Sequence, residues 1–420
     1  MKSEWRKVKL GEVATEVNDR LDSEIACLSV YGVDSAKGLT GAPKYQADNL
    51  SRYKKIKPGM FAYNPMRLNI GSIGFCGREN AEGLVSPDYI VFECCKGLYP
   101  EYLDYVTRSP NWHAWVSQAG TGSVRSRIYF RQLKEMSILL PPMSEQRHIV
   151  EILSTIDRKI ENNLSQAVTL ESMVREVYRS WFVNFDPMKK ECLDSRSESL
   201  RSFFPNKLIE SSLGEIPEGW SVATMNDLGE IKGGATPSTK NPDYWDEGTY
   251  NWITPKDMSD LKTKVILNTS RKITKEGVSK ISSGQLPVGT VLMSSRAPVG
   301  YLAIASVPIS INQGFIAIVC DKEFPSSYVV HCLEQNMDRI KANAGGSTFA
   351  EISKRSFKPI RILKPSKEIL RRFDELASPL HHQVVELERE NIALARMRDV
   401  LLPKLISGDL TLEEAEGVAA

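Results

Sequence analysis

The chain has 420 residues, 41% of them hydrophobic and 25% charged, with a formal charge of +2. That length gives room for two to four domains with real cores, and the balance excludes a disordered polyelectrolyte. Near-neutrality also means that any grip on nucleic acid must come from a local basic face. The seven cysteines never form a CxxC pair, so they read as reduced thiols with neither a disulfide framework nor a zinc site. No apolar run reaches the ~18 residues of a membrane span, and the opening MKSEWRKVKL has no signal-peptide core. A soluble, cytoplasmic protein without a membrane partner is expected.

Residues 1–142 read as a first α/β head. Short β-rich runs (Ala26–Tyr31, Met60–Tyr63, Ile70–Cys76, Tyr89–Cys94, Met136–Leu140) alternate with Gly, Pro and Asn, and one helical segment is expected over Pro100–Ser117. Pro141-Pro142 then breaks the chain, and Ser144 is placed to cap a long helix over 143–183. Its apolar residues recur in steps of four and three: Ile149, Leu153, Ile156, Ile160, Asn163, Ala167, Leu170, Val174, Val177 and Trp181. Such a heptad seam needs a partner helix.

Residues 184–219 are polar and rich in Pro, Ser and Glu, and predict a connector that wraps or spans. A second α/β head follows over 220–365. A second long helix over 366–407 carries its own seam: Phe373, Ala377, Leu380, Val384, Leu387, Asn391, Leu394, Arg398, Leu401 and Leu405. Each seam holds one asparagine, Asn163 and Asn391. If these oppose each other in an antiparallel pair, partner residue numbers add to 554, so that Ala167 meets Leu387, Val174 meets Leu380 and Trp181 meets Phe373. Residues 408–420 read as a tail.

The halves repeat each other. Leu10-Gly11-Glu12-Val13 matches Leu228-Gly229-Glu230-Ile231, Arg67-x-x-Ile70-Gly71 matches Arg296-x-x-Val299-Gly300, Ser86 matches Ser310, and Gly122-Ser123 matches Gly346-Ser347. The expected fold class is therefore α+β: two duplicated α/β domains separated by a pair of long antiparallel coiled-coil helices, with pseudo-two-fold symmetry.

Catalytic motifs are missing. There is no phosphate loop, dinucleotide turn, GxSxG elbow or HExxH, and no Asn/Asp-Pro-Pro-aromatic tetrad of an adenine methyltransferase. No catalytic residue and no metal site is assigned. What remains is a set of polar and basic loop residues suited to DNA. Arg67 and Arg296 occupy equivalent turns, with Asn64, Asn69 and Ser295 beside them, and arginine makes bidentate contacts to guanine or phosphate. Ser123, Arg125 and Arg127 lie in GTGSVRSRIYF, and Ser347 and Thr348 in the matching GGSTFAEISK, where small residues let backbone N–H groups approach a phosphate. Asn312-Gln313 offers two amides for an adenine edge, with Asp88-Tyr89 expected at that place in the first half. Trp245, Trp252 and Lys256 could line a groove, although core aromatics are the simpler reading. A non-catalytic scaffold with two protein-binding heads is the alternative.

LPPMSEQRHIVEILSTIDRKIENN, SLGEIPEGW, SSRAPVGYLAIAS, SINQGF and MRDVLLPKLISGDL together resemble the specificity subunit of type I restriction-modification enzymes, over essentially the whole chain. The resemblance implies two target-recognition domains, each reading one half of an interrupted site in double-stranded DNA. It also implies helices that set the gap and dock modification (methyltransferase) subunits, two of them, with restriction (endonuclease) subunits joining. By that resemblance the chain itself is no enzyme and binds no cofactor, and S-adenosylmethionine, ATP and Mg belong to partner subunits.

Overall fold

A computed structural model describes residues 5–20, 28–35, 38–41, 49–95, 97–119, 127–189, 201–320, 323–346 and 350–410. The chain divides into two compact units, residues 1–159 with 394–420 and residues 160–393.

In the first unit, short β-rich runs form two four-stranded sheets. One has the order Ala14–Val17, Ile90–Cys94, Met60–Tyr63, Ile73–Phe75 and is antiparallel throughout. The other has the order Gly38–Gly41, Ser29–Asp34, Gly83–Val85, Lys54–Ile56, with Ser29–Asp34 and Gly83–Val85 parallel. Phe61 stacks on Phe92 at 5.0 Å, and Phe130 closes over Phe92 at 5.5 Å. A separate strand pair joins Arg6–Lys9 to Ser137–Leu140.

Two expectations shift here. The strand expected from Ile70 begins at Ile73, because Leu68–Ile70 forms a 3-10 turn closed by Gly71 at φ +85°, a conformation that favours glycine. The single helix expected over Pro100–Ser117 is two, Pro100–Thr107 and Pro110–Ala119. Pro110 has no N–H and disfavours helical backbone in the residue before it, while the Ser109 hydroxyl accepts from Trp112 N at 3.3 Å and starts the second helix.

The second unit repeats the plan. A five-stranded sheet has the order Glu230–Gly233, Phe315–Val319, Val291–Ser294, Leu302–Ala305, Val265–Ile266. A three-stranded sheet has the order Arg271–Ile273, Tyr250–Ile253, Ile309–Ile311, and Ser221–Thr224 pairs with Arg361–Lys364. Phe61 faces Phe92 in one unit as Val291 faces Ile318 in the other, and the parallel pair recurs as Tyr250–Ile253 with Ile309–Ile311.

The long helices run Met143–Phe182 and Lys367–Ser407. Helical bonding begins two residues earlier than a cap at Ser144 would give, with Gln146 N donating to Pro142 O at 3.0 Å, so Ser144 lies inside the first turn. Neither helix is a body separate from the heads, because each is cut by the division between units. The reason is burial of the helix ends. In the first unit, the buried Gln146 amide accepts from Tyr99 N at 2.8 Å and donates to Gly97 O at 2.9 Å, while Asp157 accepts from Tyr105 Oη at 2.8 Å and from Arg398 Nη1 at 2.9 Å. In the second unit, Tyr178 packs on Tyr328 at 5.4 Å and on His331 at 5.7 Å.

Within the second unit the antiparallel register holds. Trp181 meets Phe373 at 6.0 Å, and 181 and 373 add to 554. Ala167, Leu170, Val384 and Leu387 share one cluster. The two seam asparagines are both buried, but the bond that Asn163 makes is to Glu390, one residue short of Asn391: its Nδ2 donates to Glu390 Oε2 at 2.8 Å. A carboxylate is the stronger acceptor. The Oδ1 atoms of Asn163 and Asn391 are buried without a hydrogen-bond partner.

Over its described residues the connector packs on the second unit. Leu208–Ser211 and Gly214–Pro217 form a hairpin that the polar composition did not announce. Phe204 lies 5.7 Å from Trp181 and 6.0 Å from Trp220, which ties the segment to the core. Among the described residues no helix is long and apolar enough to cross a membrane.

Candidate nucleic-acid interface

In the second unit three of the loops singled out in the sequence converge on one residue. Ser295 N donates to Gly314 O at 2.8 Å, and Ser295 O accepts from Ile352 N at 3.0 Å. The backbone just after the strand Val291–Ser294 is thereby clamped between the Asn312–Gly314 turn and the segment that follows Gly345. Ser294 locks the turn from inside: its buried hydroxyl donates to Pro298 O at 2.7 Å and accepts from Tyr301 N at 2.8 Å. Arg296 is the next residue, and its Nη1 lies 3.8 Å from Glu351 Oε2, with the guanidinium side chain 36% exposed. Glu351 is held in turn by two backbone bonds with Gly345, at 2.8 and 2.9 Å.

The amide pair divides its labour. Asn312 Oδ1 accepts from Gly314 N at 2.8 Å and is committed to the turn, whereas Gln313 is exposed and its Oε1 accepts from Thr236 Oγ1 at 2.6 Å. A carbonyl oxygen has a second lone pair, and both Gln313 N–H bonds point to no described partner, so Gln313 is the amide of the pair that can meet a base edge. Glycine is required at 234, where an added Cβ would lie 1.9 Å from Ile311 O, and this lets the loop bearing Thr236 approach the turn. Two lysines complete the surface. Lys354 passes over Gly233, where a Cβ would sit 3.0 Å from its Nζ, and Lys256 follows Pro255, which packs against Gly314. The short helix Pro255–Ser259 is fixed by Asp257, which accepts from Thr254 N at 2.8 Å and Ser270 N at 2.9 Å. Burial raises the Asp257 pKa, but the hydrogen bonds from Ser270 and Thr254 outweigh it, and the carboxyl titrates below its ordinary value.

The first unit builds the same junction. Ile128 N donates to Pro65 O at 2.9 Å, as Ile352 N does to Ser295 O. Pro65 has no N–H, so the bond from Ser295 N to Gly314 O has no equivalent there. Asn64 Oδ1 accepts from Met66 N at 3.0 Å, Arg67 and Asn69 are exposed, and Arg67 has no charged partner among the described residues. Arg127 is also exposed, and its Nη1 donates to Tyr129 Oη at 3.3 Å. Ser123, Arg125, Ser347 and Thr348 lie outside the described residues.

The junctions correct two of the sequence pairings. Strand partners and turns place Ser86 with Asn312, not Ser310: Ser86 Oγ accepts from Asp88 N at 3.3 Å just as Asn312 Oδ1 accepts from Gly314 N. Ser86-Pro87, and not Asp88-Tyr89, therefore stands where the second unit has Asn312-Gln313. Likewise Leu10 N donates to Met136 O as Met225 N donates to Ile360 O, so Leu10 matches Met225 and the LGE wording is three residues out of structural register. In both cases short identical strings outweighed hydrogen-bond position, which the sequence does not display. The structure adds Glu351 and Thr236, neither of which has a motif of its own. Trp252 is a core residue at 2% exposure, with the Arg271 guanidinium 5.3 Å from its ring and 3.9 Å from that of Trp245.

Two heads of one plan, each presenting an arginine on a clamped turn, define a two-headed recognition protein. The model of the type I restriction modification DNA specificity domain matches residues 70–170 and 217–388. The specificity subunit of the type I restriction enzyme HindI of Haemophilus influenzae is 24% identical over 463 residues, covering 97% of this chain and 100% of that one. The MjaIX specificity subunit of Methanocaldococcus jannaschii is 38% identical over 189 residues, 43% of this chain and 44% of that one. Among solved structures, the type I restriction-modification S subunit from M. genitalium shares the fold at a TM-score of 0.53 with 15% identity, over 97% of each chain. This chain belongs to the type I restriction-modification DNA specificity family.

Proposed function

We propose that the chain is the DNA-reading subunit of a type I restriction-modification complex, in which each head reads one half of an interrupted duplex target. The observation that carries this reading is the junction built twice, Ile128 on Pro65 and Ile352 on Ser295, with Arg67 and Arg296 on the turns so held. A duplex with two similar but non-identical half-sites is the ligand for two similar but non-identical heads. Residues of a clamped turn can meet base edges without first being ordered, which lowers the entropic cost of binding.

The finer assignments follow from the same reading. Arg67, Arg296 and Gln313 serve base edges, and Arg127, Lys256 and Lys354 serve phosphates. The long helices set the gap between half-sites and dock two modification subunits, with restriction subunits joining the assembly. The chain performs no reaction, and S-adenosylmethionine, ATP and Mg are held by those partners. The test is a head exchange: replacing residues 220–364 with the equivalent region of a relative should change one half of the methylated site and leave the other half as it was. A change in both halves overturns the one-head, one-half-site assignment.

A further inference from the structure

We infer that the turn of the first head reads thymine methyl groups in the DNA major groove through Met66 and Ile70, the apolar side chains that flank Arg67. The inference rests on the DNA-reading function proposed above and deepens it. Along the turn, Leu68 is buried at 1% exposure and anchors it to the core, while Met66 stands 52% and Ile70 61% exposed. The backbone between them is fixed: Asn64 N donates to Ser72 O at 3.1 Å, Ser72 N and Ile70 N to Arg67 O at 3.1 Å, and Gly71 N to Leu68 O at 3.0 Å. Folding therefore holds two large apolar groups in water on a rigid support, where they gain nothing from the hydrophobic effect until a partner covers them.

The neighbour between them selects that partner. Arg67 is exposed and has no carboxylate partner among the described residues, so the apolar pair brackets a free guanidinium. In the major groove the edges that a guanidinium reads lie beside one apolar group only, the 5-methyl of thymine. In the second head the residue matched to Ile70 is Val299, buried at 7% exposure, and the apolar residues which that turn does expose, Ala297 and Pro298, are smaller. The two heads thus differ in how much methyl surface they can cover, and the methyl requirement belongs to the first half-site.

The probe is a labelled duplex carrying the site methylated in the host genome, with each thymine of the first half-site replaced in turn by uracil, which removes the methyl and leaves base pairing intact. Affinity is measured for the full chain with its modification subunits. At least one uracil should weaken binding by about fourfold, the loss expected for one buried methyl group. That penalty should vanish in Met66→Ser or Ile70→Ser and persist in Met66→Leu and Ile70→Val. Both serine variants should melt as the unsubstituted protein does, because the side chains they replace are exposed. A first half-site that lacks thymine, uracil duplexes that all bind as the parent does, or a penalty that both serine variants retain would overturn the inference. Exchanging whole base pairs in the same half-site separates the two proposals. If exchanges weaken binding and uracil does not, only the methyl reading fails. If neither matters, the DNA-reading function falls and the inference falls with it.

Discussion

Replacing Arg296 tests whether the clamped turn reads a base. Its ion pair with Glu351 spans 3.8 Å between side chains that are 36% and 50% exposed, and such pairs contribute under about 1 kcal/mol to stability. Arg296→Ala should therefore melt within a degree or two of the parent protein. If the guanidinium instead forms two bonds to a guanine edge, its loss costs about 1–3 kcal/mol of specific binding, or about fivefold to 150-fold in affinity. The loss should be confined to one base pair of the second half-site: duplexes altered there should bind Arg296→Ala as well as the parent duplex does. Arg296→Lys keeps the charge but not the planar fork, so it should lose the same discrimination while preserving the salt slope. Glu351→Ala, combined with each, removes the carboxylate that an absent guanidinium would leave facing DNA. The assay is equilibrium anisotropy on duplexes varied one pair at a time, repeated at several salt concentrations. An affinity loss spread evenly over all sequences, with lysine restoring it, would show a phosphate contact and refute base reading by this residue.

Three further expectations concern the helices and their surroundings. Asn391→Leu removes a buried carbonyl that has no partner, so it should stabilise the chain by about 1–3 kcal/mol in denaturant unfolding while loosening the choice of register, whereas Asn163→Leu also gives up the bond to Glu390 and should gain less; a destabilised Asn391→Leu would show that this asparagine holds the pair together. Burial, with His382 and His331 nearby, pushes the His381 imidazole down to about 4 from 6.5. Below about pH 6.5 the unfolded chain then takes up a proton that the folded one refuses until about pH 4. This group's contribution should therefore fall by about 3 kcal/mol across that window and level off below it, and His381→Gln should flatten the stability curve between those limits; an unaltered curve would refute the assignment. Inserting seven residues into both long helices at opposed seam positions adds ~10 Å of helix and should lengthen the preferred gap by about three base pairs at ~3.4 Å each. A gap series in which the optimum stays put would mean that the helices do not set the spacing.

Much of this protein was legible in its residues. The heptad seams are one-dimensional patterns of apolar spacing, and hydrophobic burial reads such patterns directly, so both helices and their 554 register followed from counting; Trp181 against Phe373 is the direct check. The duplication was legible as well, because two copies of one plan keep the same small and charged residues at their turns, Arg67 with Arg296 among them. Hydrogen-bond position was not legible. Which N–H meets which C=O across a sheet depends on insertions of one or two residues that leave composition unchanged, which is how Ser86 was matched to Ser310 when its turn corresponds to that of Asn312. The meeting of three loops on Ser295 was hidden for the same reason: its bonds run to Gly314 and Ile352, 19 and 57 residues further on (314 − 295 and 352 − 295), and no local pattern encodes a contact closed by the backbone. Nor could the sequence show that each helix end would be taken into a head, or that Asn163 would choose Glu390. Those outcomes depend on which surfaces face each other once the chain has packed, because burial and hydrogen-bond satisfaction are properties of the assembled interior and not of any one segment.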